Sequence, residues 1–207
     1  MISPDTAAAF FGVAILLALA PGPDNIFVLV QSAMWGRRAG LLVVLGLCTG
    51  VLLHTAAVAL GLAAVLAATP AAFAALKLAG AAYLLWLAWQ AARAPAGNSP
   101  GEASGGPLPG GALYRRGVIM SSTNPKVLLF FLAFLPQFVQ PAHGSVWAQI
   151  LQLGVLFMLA ALLVFSAIAC FSAQAGRLLR RSPLAWRLLN RAAAVVFAAL
   201  ALRLVMS

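Results

Sequence analysis

Pro23-Asp24 and Pro125-Lys126 each put an ionisable residue directly behind a proline, inside stretches that are otherwise apolar. Only three acidic residues occur in the 207. Asp5 lies near the N-terminus and Glu102 in a polar segment, which leaves Asp24 as the one carboxylate within a long hydrophobic run. An ion held in apolar surroundings is costly and marks a binding site or an ion pathway by default. The prolines supply the other half of the chemistry. A proline inside a helix removes a backbone donor and clashes with the carbonyl four residues earlier. Pro21-Gly22-Pro23 should therefore break one helix and Thr123-Asn124-Pro125 another, with Gly22 loosening the first break further. Half-helix ends at membrane depth expose amides and carbonyls suited to charged ligands. The competing reading is a pair of kinks that only shape packing; an ionisable residue beside both of them favours a site.

The elements that must hold these residues are transmembrane helices. Hydrophobic residues make up 64% of the chain and charged ones 8%, against about 25% charged in soluble domains. The net charge of +10 does not indicate nucleic acid, because the 13 basic residues are divided among short segments and form no basic face interleaved with aromatics. Six segments, near 6–33, 40–67, 71–92, 113–138, 147–172 and 186–206, are each long enough for the roughly 20 residues a helix needs to cross a bilayer. Runs such as 41–47 and 155–168 are apolar on all sides, without the alternation of a barrel strand. The expected fold is all-α.

Basic residues are distributed unevenly between the spans. Arg37 and Arg38 follow the first, Arg93, Arg115 and Arg116 flank the third connection, and Arg177, Arg180, Arg181, Arg187 and Arg191 crowd the fifth; the second and fourth connections hold no Lys or Arg. The positive-inside rule puts the odd-numbered connections in the cytoplasm and both termini outside it. Residues 94–111, rich in Gly and Pro, form a cytoplasmic linker between a first three-helix half (1–93) and a second (112–207), all within one transmembrane domain. Three spans per half make the second half enter from the opposite side, so the halves are expected to be inverted repeats, with the proline-broken helices first and fourth. Ala18-Leu19-Ala20 imitates a signal-peptide cleavage site, but no Lys or Arg precedes the run and proline would follow the cut, so the segment is expected to be retained.

With the blocks Ala20-Pro21-Gly22-Pro23-Asp24, Gly36-Arg37-Arg38-Ala39-Gly40-Leu41, Leu76-Lys77-Leu78-Ala79-Gly80-Ala81-Ala82-Tyr83-Leu84, Asn124-Pro125-Lys126 and Phe131-Leu132-Ala133-Phe134-Leu135-Pro136-Gln137-Phe138, the chain from about residue 12 onward resembles the LysE/RhtB family of amino-acid exporters, of the homoserine/threonine type. The resemblance implies a translocator of the bacterial inner membrane, not an enzyme, that exports amino acids by secondary transport driven by an ion gradient, with no cofactor.

A zwitterionic amino acid brings one ammonium and one carboxylate, and the residues offer a match. Lys126, Asn124 and the amides near Pro125 suit the carboxylate; Asp24, with Asn25 beside it and the carbonyls freed around Pro21, suits the ammonium. In the empty protein Asp24 and Lys126 should pair with each other, since isolated charges in low dielectric are expensive. One intramembrane acid favours neutral substrates in the threonine, homoserine or leucine range over dibasic ones. Coupling to protons needs a titrating group, for which Asp24 is the available acid and His54 the other side chain that changes charge near neutrality; a lone His on an apolar helix also fits a satisfied core residue. Lys77 in the third span either snorkels to the outer interface or lines the exit path. Arg191 reads as an inside-facing topology charge, and Arg203 sits near the outer end of the last helix.

Gly46 and Gly50 suit close helix packing and equally a homodimer face. Trp35, Trp86 and Trp89 fit an interfacial belt. Two rival functions deserve weighing. A thiol oxidoreductase needs Cys48 and Cys170 to meet, yet neither lies in a Cys-x-x-Cys motif. A divalent-metal exporter needs clustered carboxylates, thiols or imidazoles, and one buried Asp, two His and two scattered Cys make a poor cage.

Overall fold

The computed structural model describes residues 1–68, 70–93, 108–181 and 183–206; some of their side chains, including Lys77, Arg177, Arg180, Arg181 and Arg203, fall outside what is described, as does the linker 94–107. The regular elements among the described residues are all helical. Helix α1 (Pro4–Leu19) opens with Ser3 as its cap, whose side chain accepts the Thr6 amide, and with proline at the first position, where a missing donor costs nothing. After the break come α2 (Pro23–Trp35), α3 (Arg37–Ala68), α4 (Pro70–Arg93), α5 (Gly110–Thr123) and α6 (Pro125–Leu129). The chain continues through a π turn at Phe130–Phe134 and a 3-10 turn at Leu135–Phe138. A short turn at Pro141–His143 then leads into α7 (Val146–Arg181) and α8 (Pro183–Met206).

Both expected proline breaks are present. The α1–α2 axis bends by 62° and the span from α5 to Phe138 by 48°. The widened π turn was not foreseen. Pro136 follows it, and a proline ring clashes with the carbonyl four residues back, which a wider turn moves aside. By length and composition, Arg37–Gly61 within α3 and Val146–Ser172 within α7 qualify as membrane spans, and each bent pair qualifies if taken as one span, giving up to four among the described residues. Helices α4 and α8 have 24 residues each, about 36 Å at 1.5 Å per residue.

One boundary differs. Instead of an arginine-rich loop between 172 and 186, α7 runs unbroken to Arg181 and α8 begins at Pro183. Arginine is a good helix former, so the basic stretch prolongs the helix, and Pro183 stops it where its missing donor is harmless.

Among the described residues, large apolar side chains face outward along the helices and several polar ones lie inside. Leu53, Leu60, Leu163 and Val195 are exposed, whereas Asp24, Gln31, His54, Asn124, Lys126 and Gln149 are buried. That inversion is stable in lipid and not in water. Below the breaks, Phe10, Phe130, Phe131, Phe134, Phe138 and Phe157 form one aromatic cluster with ring centroids 5.0–6.2 Å apart. Helix α3 packs against α5 and α7, α1 against α7, and α4 against α8.

Gly46, Gly50 and Gly117 make the α3–α5 contact possible. A Cβ at Gly46 would collide with the Tyr114 carbonyl, at Gly50 with the Ser121 side chain, and at Gly117 with the Val43 carbonyl. The pair singled out as a candidate dimer face is thus consumed inside the protein. Backbones that close exclude lipid from the joint between the two halves.

Candidate site at the two helix breaks

Breaking α1 from α2 strands backbone carbonyls. Leu17 would ordinarily receive the amide of residue 21, and Pro21 has none. Lys126, from the other half of the chain, fills the gap: its Nζ donates to the carbonyl oxygens of Leu17 at 3.3 Å and Ala20 at 3.2 Å. The carbonyl end of a helix carries partial negative charge, so an ammonium is well placed there. The Ala18 carbonyl is met by Asn25 Nδ2 at 2.7 Å. Gly22 lets Lys126 in, since a Cβ at that position would lie 3.2 Å from Nζ.

Asp24 occupies the first turn of α2, following Pro23, and is 3% exposed. Its Oδ2 accepts a hydrogen bond from Asn124 Nδ2 at 2.8 Å. Asn124 in turn caps α6, its Oδ1 accepting the Lys126 backbone amide at 3.0 Å. Asn124 therefore ties the carboxylate of one half to the backbone of the other. Among the described contacts the expected direct Asp24–Lys126 ion pair is absent. The Leu17 and Ala20 carbonyls at the end of α1 hold the ammonium and a neutral amide holds the carboxylate, so both charges are solvated by dipoles instead of by each other. Asp24 Oδ1 and Asn25 Oδ1 are left buried without a hydrogen-bond partner.

The second break is capped in the same manner. Pro125 cannot donate to the Ser121 carbonyl, and His54 Nε2 lies 2.9 Å from that oxygen. A carbonyl only accepts, so Nε2 bears the hydrogen. The Asn124 amide also reaches Ser121 O, at 3.1 Å, in a tightened last turn.

Asp24, Lys126, Leu17, Val51, Phe157 and Phe165 line a cavity of about 10 Å³ between the breaks, room for one water and far below the roughly 300 Å³ of a formed ligand pocket. The breaks thus bring together Pro21, Gly22, Pro23, Asp24, Asn25, Asn124, Pro125 and Lys126, with His54 on Ser121 at the second break's edge. Lys77 lies in α4, and its side chain is outside the described residues. The residues alone pointed to freed carbonyls near Pro21 as a seat for a ligand's ammonium; that Lys126 occupies them was not legible. Nor were Phe157 and Phe165, apolar residues on an apolar helix without any distinguishing signal.

Among the described residues no three His, Cys, Asp or Glu side chains gather as a metal site. Cys48 is buried and Cys170 exposed, and both are free.

Residues 15–207 match the model of the family described as LysE type translocator. The chain is 33% identical over 182 residues to a homoserine/homoserine lactone efflux protein of Salmonella typhimurium, covering 88% of this chain and 87% of that one. It is 34% identical over 126 residues to a leucine efflux protein of Salmonella choleraesuis, covering 61% and 59%. An uncharacterized membrane protein of Vibrio cholerae is 33% identical over 172 residues, 83% of each chain. No solved structure matches.

Proposed function

Since the chain belongs to the LysE type translocator family, and is thereby a multi-pass membrane transporter and not an enzyme, we propose that it exports neutral amino acids of the homoserine, threonine or leucine kind across the bacterial inner membrane, coupled to protons. The observation that carries the substrate reading is the Asp24–Asn124–Lys126 cluster between two broken helices, with one carboxylate oxygen of Asp24 buried and unpaired. A buried acceptor lacking a donor is a cost that an incoming ammonium removes.

The mechanism follows from what each group holds. Lys126 is parked on the Leu17 and Ala20 carbonyls. An entering amino acid offers an equivalent ammonium for those carbonyls and for Asp24 Oδ1, and its carboxylate draws Lys126 away to itself. One set of charge-assisted hydrogen bonds replaces another, so no bare charge arises at any stage. The small cavity means that a helix must move to admit the substrate, and the broken spans, already bent, are the elements for it. Asp24 is the proton-coupling group in this reading.

In this reading the chain has six spans in two inverted three-helix halves. Exchanging the halves turns the α3–α5 contact into the α7–α1 contact and leaves α3–α7 and α4–α8 in place, all of which are observed packings. The arginines at 37, 38, 115 and 116 orient both termini away from the cytoplasm.

Counterflow into proteoliposomes loaded with unlabelled amino acids tests the proposal. Labelled neutral amino acids should enter the wild type, and Asp24→Asn should slow entry by roughly a hundredfold, as removal of one member of a buried polar set does. Residual efflux by that variant should also lose its pH dependence. Full transport by Asp24→Asn would overturn the assignment.

A further inference from the structure

His54 has a second feature beyond its bond to Ser121. Its ring also lies 5.8 Å from that of Phe131, so one side chain of α3 touches the span on both sides of its break: the end of α5 through the Ser121 carbonyl, and the π turn through Phe131. The helix α3 stripe Gly46, Gly50, His54 advances four residues at a time along one face. Gly46 meets Tyr114 and Gly117, Gly50 meets Ser121, and His54 finishes the seam on the carbonyl that Pro125 leaves without its helical donor. Here the opposite half supplies a ring N–H donor; at the first break it supplies an ammonium, Lys126 on the Leu17 carbonyl.

We propose that His54 is a positioning residue for transport: its Nε2–H group holds the second break at its working angle by capping the Ser121 carbonyl, and so sets where Asn124 and Lys126 stand relative to Asp24. In this role it works as a fixed donor of a particular reach and not as a proton carrier. The Ser121 carbonyl and the Asn124 side chain are three residues apart on one turn, so tilting the carbonyl shifts the amide that holds Asp24.

Reach separates this role from others. Glutamine places its amide nitrogen about where Nε2 sits, asparagine places it where Nδ1 sits, and leucine has no donor. His54→Gln should keep the transport rate within about twofold and leave its pH profile unchanged, whereas His54→Asn and His54→Leu should each lose roughly threefold to tenfold, the worth of one buried hydrogen bond. Failure of His54→Gln, or wild-type transport by His54→Leu, would overturn the proposal, and a pH profile shifted in His54→Gln would make the residue a proton carrier instead. A thermal-unfolding cycle with Pro125→Ala gives a readout independent of the substrate reading on which the transport assays rest. Restoring the amide at 125 supplies the carbonyl's own donor, so His54→Leu should lower the midpoint in the Pro125 background and change it far less in the Pro125→Ala background. Equal losses in both backgrounds would refute the cap whatever the protein carries.

Discussion

At the scale of single residues, the site is governed by which backbone groups the prolines leave bare. Pro21 silences the donor for Leu17 and Lys126 answers from a hundred residues away; Pro125 silences the donor for Ser121 and His54 answers. The ammonium fits because Gly22 has no side chain, and the contact is close enough for a methyl group to matter. Gly22→Ala would put its Cβ 3.2 Å from Nζ. Small-to-large changes in packed sites cost about 1–3 kcal/mol; this one crowds the carbonyl seat itself, whether the ammonium of Lys126 or that of a substrate occupies it. Gly22→Ala should therefore reduce the counterflow rate by about tenfold or more while leaving the protein folded in detergent. An unaltered rate would show that the ammonium does not need that space.

At the scale of elements, the α3–α5 joint stands out, built on Gly46, Gly50 and Gly117 and pinned at its outer edge by the Thr49–Tyr114 hydroxyl pair at 2.9 Å. In lipid no hydrophobic force drives helices together, so close backbone approach and polar contacts carry the association. Gly117→Val would place its side chain against the Val43 carbonyl and the Gly46 Cα. It should destabilise the protein by about 1–3 kcal/mol, seen as a thermal midpoint several degrees lower. A surface glycine, Gly12, has nothing within 4 Å of its would-be Cβ, and Gly12→Ala should leave the midpoint unchanged or slightly higher. Equal effects of the two would argue against the joint. Proline made the breaks legible in the sequence, and Gly46 and Gly50 marked a close-packing face there without saying what it packs against. The π turn at Phe130–Phe134 was not legible, because a proline at 136 can be accommodated by a kink, a tightened turn or a widened one, and surrounding packing selects among them.

At the scale of the whole molecule, the proposed topology has a direct consequence. With six spans and the arginine-bearing connections inside, the C-terminus faces away from the cytoplasm. In a background where Cys48 and Cys170 are replaced by alanine, Ser207→Cys should react in intact spheroplasts with a membrane-impermeant maleimide, and a cysteine introduced at Ser104 of the linker should react only after permeabilisation. The reverse pattern would invert the orientation. The α3–α5 contact is crowded by glycines whose added Cβ would strike the facing helix, whereas Gly12 of α1 faces open space.

The sequence by itself determined the membrane class, the helical fold, the positions of both breaks and the family, because these rest on local properties: apolar run length, a proline's missing donor and short blocks of residues. It also pointed to Asp24, Asn124 and Lys126, since charge in an apolar run is visible without coordinates. Tertiary structure alone decided how they are satisfied. Asp24 bonds to Asn124, Lys126 to two carbonyls of α1, and His54 to a carbonyl of α5, and every one of these contacts joins the two halves of the chain. Which donor reaches a freed carbonyl depends on how closely helices approach and at what angle. That geometry is set by packing at glycines such as Gly46 and Gly50, where the same residues would have served equally well to pair with a second copy.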